Sequence, residues 1–309
     1  MIDHHTHHIP ILLQPIVDFL VDGLILLSPD AAPGIVLDCT LGGGGHSSAI
    51  LEKMKTHSST LKHRVLGIDR DPDAIIRNKI RFAKDIEASH FELVHASFSE
   101  ALQAVGDRPI YGILADLGIS SDQIDSETRG FSFKYPAPLD MRMNHAQGES
   151  LLDWLNQVSE RALSDVLLNY GDERYSKQIA RKLVELRGRK ALPTTSLELA
   201  DVIASTFPPS QRYQGNHPAT RSFQAMRIFI NDELGELDRL IAQVFPKTAK
   251  NGRIAMLSFH SLEDRRVKEA FKNHELYSLP FKKPIEASDV EVEQNPRSRS
   301  AKLRCAIRK

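Results

Sequence analysis

The chain has 309 residues, 41% of them apolar, with forty basic and forty acidic side chains and two cysteines. That length suits one large domain or two ordinary ones and buries a core without disulfide staples. The charge balance excludes a uniformly cationic surface while permitting local basic patches, and two cysteines as far apart as Cys39 and Cys305 point to a reducing compartment, by default the cytoplasm.

In chain order, His4, His5, His7 and His8 beside Asp3 suit a loosely held terminus better than a designed metal site. The apolar stretch from Ile9 to Leu27 is interrupted by Pro15, Asp18 and Asp22 and has no basic leader, so it reads as neither signal peptide nor membrane span. The spacing of Ile16, Phe19, Leu20 and Leu24 predicts a helix there instead. Next, Ile35 to Ser47 (I-V-L-D-C-T-L-G-G-G-G-H-S) has the order of a parallel strand, a tight glycine turn and a helix start. Glycines in such a turn let the main chain approach a ligand whose volume a side chain would occupy, although an ordinary strand-to-helix turn has the same composition. Asp38 at the strand tip narrows the ligand. A pyrophosphate on the following helix N-terminus would be repelled by it, whereas the ammonium and sulfonium of S-adenosylmethionine would be favoured.

Arg64 to Ile68 follows as a second strand, ending in Asp69-Arg70-Asp71-Pro72. Asp69 lies where a Rossmann-type sheet presents a carboxylate to ribose hydroxyls, or else it caps the next helix, Asp73 to Lys84. Phe91 to His95 reads as strand three. Phe98 after it can stack on an adenine ring or serve as a core residue at a helix start. Tyr111 to Leu117 is strand four, with Asp116 at its carboxyl end. Ligands bind beyond that end of a parallel sheet, so Asp38, Asp69, Phe98 and Asp116 are expected to converge on one crevice of a doubly wound α/β sheet.

From Gly118 to Met143 the chain is irregular and rich in turn residues, a length of loop that is usually functional. Four helical patterns then run from Leu151 to Ser205, predicting an inserted all-helical subdomain at residues 144–213, flanked by sheet-domain segments 1–143 and 214–309. Arg174, Lys177 and Arg181 fall at helical spacing and make a candidate RNA-binding stripe or a solvated face. An apolar stripe from Phe223 through Ile241 predicts one long helix against the sheet. A further strand, Arg253 to Phe259, runs into His260-Ser261-Leu262-Glu263-Asp264. Ser258, His260 and Asp264 invite a hydrolase triad, which the absence of any G-x-S-x-G elbow argues against. The tail from Pro296, with Arg297, Arg299, Lys302, Arg304, Arg308 and Lys309, reads as a basic final strand.

The runs D-C-T-L-G-G-G-G-H-S, G-I-D-R-D-P, A-D-L-G-I-S-S, R-G-F-S-F, L-D-M-R-M, H-P-A-T-R-S-F-Q-A-M-R-I, S-F-H-S-L-E-D-R and N-P-R-S-R-S-A-K-L-R occur in this order between His8 and Arg304. Across essentially the whole chain they make it resemble the bacterial 16S rRNA cytosine-N4 methyltransferases, the family of ribosomal RNA small subunit methyltransferase H. The resemblance implies a class I (Rossmann-like) S-adenosylmethionine-dependent methyltransferase with a helical insert, acting on a cytosine in the decoding region of 16S rRNA. It implies that Gly44, Gly45, His46, Asp69, Phe98, Asp116 and Gln123 bind the cofactor, beside Asp38. Gly43 stands where relatives often have a basic residue, and the segment before the final basic run is short. Cytosine's exocyclic amine is a poor nucleophile and gains from an acceptor for its N–H. Asp116 assisted by Ser120 is the candidate acceptor, with Asp140 next in line. Arg174, Lys177, Arg181, Arg297, Arg299 and Lys302 are the candidate RNA contacts; no metal is required, no membrane is implied, and a homodimer is left open. Two other classes remain to be separated, a nicotinamide oxidoreductase and a non-catalytic RNA-binding module.

Overall fold

The computed structural model describes residues 10–212, 217–272 and 275–309, so the N-terminal histidines lie outside the described residues. The chain divides into two compact units, residues 1–118 with 234–309, and residues 119–233.

The first unit is built on a sheet. In chain order it has α1 (Leu13–Ile25), β1 (Ile35–Asp38), α2 (Gly45–Lys55), β2 (Arg64–Asp69), α3 (Pro72–Arg81), α4 (Ala83–Glu87), β3 (Phe91–His95), α5 (Ala101–Val105) and β4 (Ile110–Asp116). The second unit follows with α6 (Ser121–Ile124), α7 (Leu151–Gln157), α8 (Glu160–Gly171), α9 (Ser176–Gly188), α10 (Ser196–Ser205) and α11 (Thr220–Ile230). The sheet unit then resumes through α12 (Glu233–Gln243), β5 (Thr248–Ser258), α13 (Ser261–Lys272), β6 (Tyr277–Ser278), β7 (Ile285–Glu286), α14 (Asp289–Gln294) and β8 (Lys302–Arg308).

The strands lie in the order β3-β2-β1-β4-β5-β8-β6, with β7 also on β8. β1 to β5 are mutually parallel, and β8 runs antiparallel to β5. The central strands are apolar throughout because both faces are covered. Val36, Val65, Leu114 and Ala255 point to the face packed by Ile16, Leu20 and Leu24 of α1 and Ile50 and Met54 of α2. Ile35, Leu37, Ile68, Ile113 and Met256 point to the other, packed by residues such as Val105, Leu237, Leu240 and Phe271. The doubly wound expectation therefore holds, and it holds through period-two alternation within each short strand.

The helical unit has its own core, in which Trp154, Leu163, Leu167, Ile179, Leu183, Leu199 and Ile203 meet Phe223 and Met226. It is wider than residues 144–213, and two features account for this. The irregular stretch after β4 contributes Phe131, Leu139, Met141 and Met143 to that core. The single long helix expected after His217 is in fact two, α11 and α12. They are separated by Asp232 at φ 45°, where the Asn231 side chain donates to the carbonyls of Met141 and Arg227 at 2.7 and 2.9 Å. Only the second half of the apolar stripe covers the sheet; the first half belongs to the helical core.

Two smaller expectations also change. The helix predicted over Asp73 to Lys84 breaks at Phe82, which is buried and stacked on Phe91 at 4.1 Å. The basic tail is a 3-10 turn over Pro296–Ser300 followed by the shorter strand β8.

Candidate functional site

Four parallel strands end at one edge of the sheet, and each places an expected residue there. Asp38 closes β1 and is almost wholly buried, accepting a hydrogen bond from the Ser47 hydroxyl at 2.7 Å and from the Thr40 N–H at 3.1 Å. Burial pushes its carboxyl up to about 6, against the pull of those two donors. Asp69 closes β2 and accepts from the N–H of Gly42 at 2.7 Å and of Asp71 at 2.8 Å, so it ties the glycine turn to the next strand. Its carboxyl is likewise raised by burial to about 6. The helix cap is not Asp69 but Asp71, whose side chain accepts from the Asp73 N–H ahead of Pro72.

Asp116 closes β4. Its backbone N–H donates to the Thr40 hydroxyl at 2.6 Å, and its carboxylate lies 3.6 Å from Nδ1 of His46. The His46 Nε2 faces the Ile11 carbonyl at 3.0 Å, an acceptor only, which puts the ring proton on Nε2 and leaves Nδ1 toward the acid. Burial, then the charges of Asp38 and Glu263, push the Asp116 carboxyl up to about 8, although 29% of the side chain remains exposed. Phe98 stands after β3 at the start of a 3-10 turn whose Ser97 and Glu100 form a capping box. Its half-buried ring packs on the sheet's core cluster, so the core and ring-stacking roles are compatible.

The glycines act differently from the sequence expectation. A Cβ on Gly44, which has φ 76°, would sit 2.2 Å from Asn78 Oδ1 and 2.7 Å from Phe82, and one on Gly45 would sit 2.4 Å from Pro10. These two positions are closed by the protein's own packing, whereas a Cβ on Gly43 would meet nothing within 4 Å. The turn is further held by Asn78 donating to the Gly42 carbonyl at 2.7 Å and Arg81 donating to that of Gly43 at 2.6 Å.

In the helical unit, Ser120 and Gln123 are partners in one capping box. The Ser120 hydroxyl accepts from the Gln123 N–H at 3.2 Å, and Gln123 Oε1 accepts from the Ser120 N–H at 3.1 Å. Asp140 is held bidentately by Arg142, through Nε at 2.7 Å and Nη2 at 2.8 Å. Burial acts to raise the Asp140 carboxyl, but Arg142 holds it below its ordinary range, and it is a poor reserve acceptor. Lys177 and Arg181 are exposed on α9, while Arg174, also exposed, lies in the turn before that helix and not on its face. Arg297 and Arg299 are exposed on the turn before β8, and Lys302 is half-buried at the strand's start. Arg304 is committed to Asp264 at 2.7 and 3.1 Å, which also removes Asp264 from any triad.

Sequence spacing gave no role to Thr40, Ser47 or Glu263. Glu263 is buried and accepts from the N–H groups of Phe259 and His260 at 2.9 and 3.3 Å, while His260 Nε2 lies 3.0 Å from its other oxygen. The order S-F-H-S-L-E directly after a parallel strand was the available signal for this second carboxylate near Asp116.

The edge thus carries Asp38, Asp69 and Asp116 with raised carboxyls, an arrangement that repels phosphate and accepts cations and hydroxyl donors. A parallel sheet with this acid-lined carboxyl edge and one reversed strand between β5 and β6 defines the class I S-adenosylmethionine-dependent methyltransferases, for which S-adenosylmethionine is the cofactor. Within that class the chain belongs to the MraW methylase family, whose model matches residues 5–309. It is 44% identical over 302 residues to the ribosomal RNA small subunit methyltransferase H of Crocosphaera subtropica, covering 98% of this chain and 89% of that one. Its identity is 40% over 306 residues to the protein of the same name from Prochlorococcus marinus, covering 98% and 95% of the two chains. To that of Coxiella burnetii it is 40% over 318 residues, covering 96% and 97%. The nicotinamide reading is thereby set aside.

Proposed function

We propose that the protein methylates the exocyclic N4 amine of a cytosine in the decoding region of 16S ribosomal RNA, within the small subunit and in the cytoplasm. The observation that carries this reading is the near-full-length similarity to relatives named for small-subunit rRNA methylation, joined to a carboxylate, Asp116, at the tip of β4. The cytosine-N4 assignment rests on the sequence runs quoted above.

S-adenosylmethionine supplies an electrophilic methyl on a sulfonium. Asp69 has lone pairs left for ribose hydroxyls after accepting two backbone N–H groups, and Phe98 offers ring surface to the adenine. Asp38, held by Ser47 and Thr40, and Asp116 favour the ligand's positive end. That charge draws the Asp116 proton away, so the carboxylate becomes ionised where it must accept the amine's N–H. Accepting that hydrogen bond localises the nitrogen lone pair, and the proton released after transfer passes to Asp116. Ser120, already an N-cap acceptor for Gln123, has its own O–H to offer. Gln123 belongs to the proposed cofactor set, and Arg174, Lys177, Arg181, Arg297, Arg299 and Lys302 to the RNA contacts.

The test is methyl transfer from labelled cofactor to purified small subunits lacking the modification, with the modified nucleotide mapped. Label on a single cytosine N4 of the decoding region supports the reading. Label on another base, or on protein, overturns it.

A further inference from the structure

Building on the proposed function, we infer that Phe259 is the face on which the target pyrimidine stacks. Strand order supplies the direction. With adenine at Phe98 beyond β3 and ribose at Asp69 beyond β2, the reacting end of the cofactor falls over β1 and β4, where Asp116 awaits the amine. The base attached to that amine then extends toward the next strand, β5, one spacing or about 4.8 Å further on. Among the described residues, the parallel strands carry two phenylalanine rings within three residues of their carboxyl ends. Phe98 follows β3 and Phe259 follows β5.

The β5 tip is built to hold that ring still. Glu263, buried, accepts from the backbone N–H of Phe259 at 2.9 Å and of His260 at 3.3 Å, while its other oxygen lies 3.0 Å from His260 Nε2. Leu117, next to Asp116, donates its N–H to the Leu257 carbonyl at 2.9 Å, fixing the two strand tips side by side. Phe259 packs on the apolar cluster that includes Leu257 and keeps part of its surface in solvent. Beside it stands Gly118 at φ 102°; a Cβ there would come 3.6 Å from the ring's Cδ2, so in its absence the ring lies uncovered by residue 118. Enzymes that modify a base take it out of its stack and need a replacement surface, and a ring face serves any pyrimidine. Phe259 binds and orients; the N–H acceptor remains Asp116.

The experiment compares Phe259→Leu and Phe259→Tyr in single-turnover methyl transfer to subunits lacking the modification, alongside cofactor titration. Phe259→Leu is expected to lower the transfer efficiency by about tenfold or more, as loss of one base stack does, with cofactor affinity unchanged. Phe259→Tyr keeps the ring and is expected to stay within about threefold of the parent. Should Phe259→Leu fold poorly, the unaltered protein is irradiated with subunits carrying 5-iodocytidine at the modified position, and the adduct is expected on Phe259. Full activity of Phe259→Leu, or an adduct confined to residues other than Phe259, overturns the inference. Failure of the unaltered protein to methylate small-subunit RNA instead overturns the proposed function, and this inference with it.

Discussion

In the proposed function Asp116 is the residue on which cofactor and chemistry meet, and the two duties given it there are separable. In Asp116→Asn the shape and one acceptor oxygen survive while the charge is lost, so single-turnover transfer should fall by about a hundredfold or more and cofactor affinity by much less. Equal losses in both would make Asp116 a cofactor ligand alone. The raised carboxyl also predicts a pH dependence. In the cofactor-free protein Asp116 keeps its proton up to about pH 8, and a cationic ligand binds better once it is gone. Affinity for S-adenosylmethionine should therefore climb between pH 6 and 8, by no more than the loss of cofactor affinity that Asp116→Asn shows, and level off above. The demethylated thioether product has lost the positive sulfur, and its curve should be flatter; two superimposable curves would refute the link. The same raised carboxyls stabilise the cofactor-free fold at low pH, and that contribution is lost as pH rises through about 6 for Asp38 and Asp69 and about 8 for Asp116.

At the level of elements, sequence pattern located the parallel strands and the longer helices, where apolar residues repeat at the period their neighbours require, and missed the short α4, α6, α14, β6 and β7. β3 begins and ends where it was expected, and α9 and α10 shift by no more than a residue. What spacing could not convey was tertiary partnership. The stretch from Arg129 to Met143, part of the irregular run after β4, looks like a functional loop by composition. In the fold it is pinned, with Arg129 donating to the Arg142 and Met143 carbonyls at 2.9 and 2.6 Å and the Met143 N–H donating to Asn231 at 2.7 Å. Asn231 lies 88 residues from Met143, which is why the anchoring of the loop and the break before α12 escaped together. The glycine turn was found for a reason that needs amending. Gly44→Val drives a side chain into Asn78 and Phe82 and forces an L-residue into the left-handed region, which alone costs roughly 1–2 kcal/mol. A marked drop in melting temperature is expected there, whereas Gly43→Ala should melt like the parent. A stable Gly44→Val that merely fails to bind cofactor would restore the ligand-volume explanation.

For the whole molecule, the proposed function calls for a basic surface on a chain with no net charge, so under it RNA contacts are regional. In the helical unit, Arg174, Lys177 and Arg181 are exposed, and Arg181 has only a loose 4.0 Å approach to Glu185, an exposed pair that holds little energy. Replacing all three with Gln should flatten the salt dependence of subunit binding by about one unit of slope per lost phosphate contact, with cofactor affinity untouched. An unchanged slope would return them to ordinary solvated surface. β4 and β5 are direct parallel partners, yet the entire helical unit is threaded between them in the chain. During synthesis, then, the emerging sheet lacks β5 along one side of β4 until α6 to α11 have left the ribosome, and non-local pairing of this kind is slow and exposes an unpaired strand. The helical unit, whose core draws on its own residues, can condense meanwhile. A nascent chain stalled when Glu233 has just left the ribosome, with β5 still inside it, should therefore protect residues 119–233 from protease while leaving β1 to β4 open to cleavage. This order makes the exposure of β4 a matter of translation timing, since its parallel partner β5 emerges only after the whole helical unit has been made.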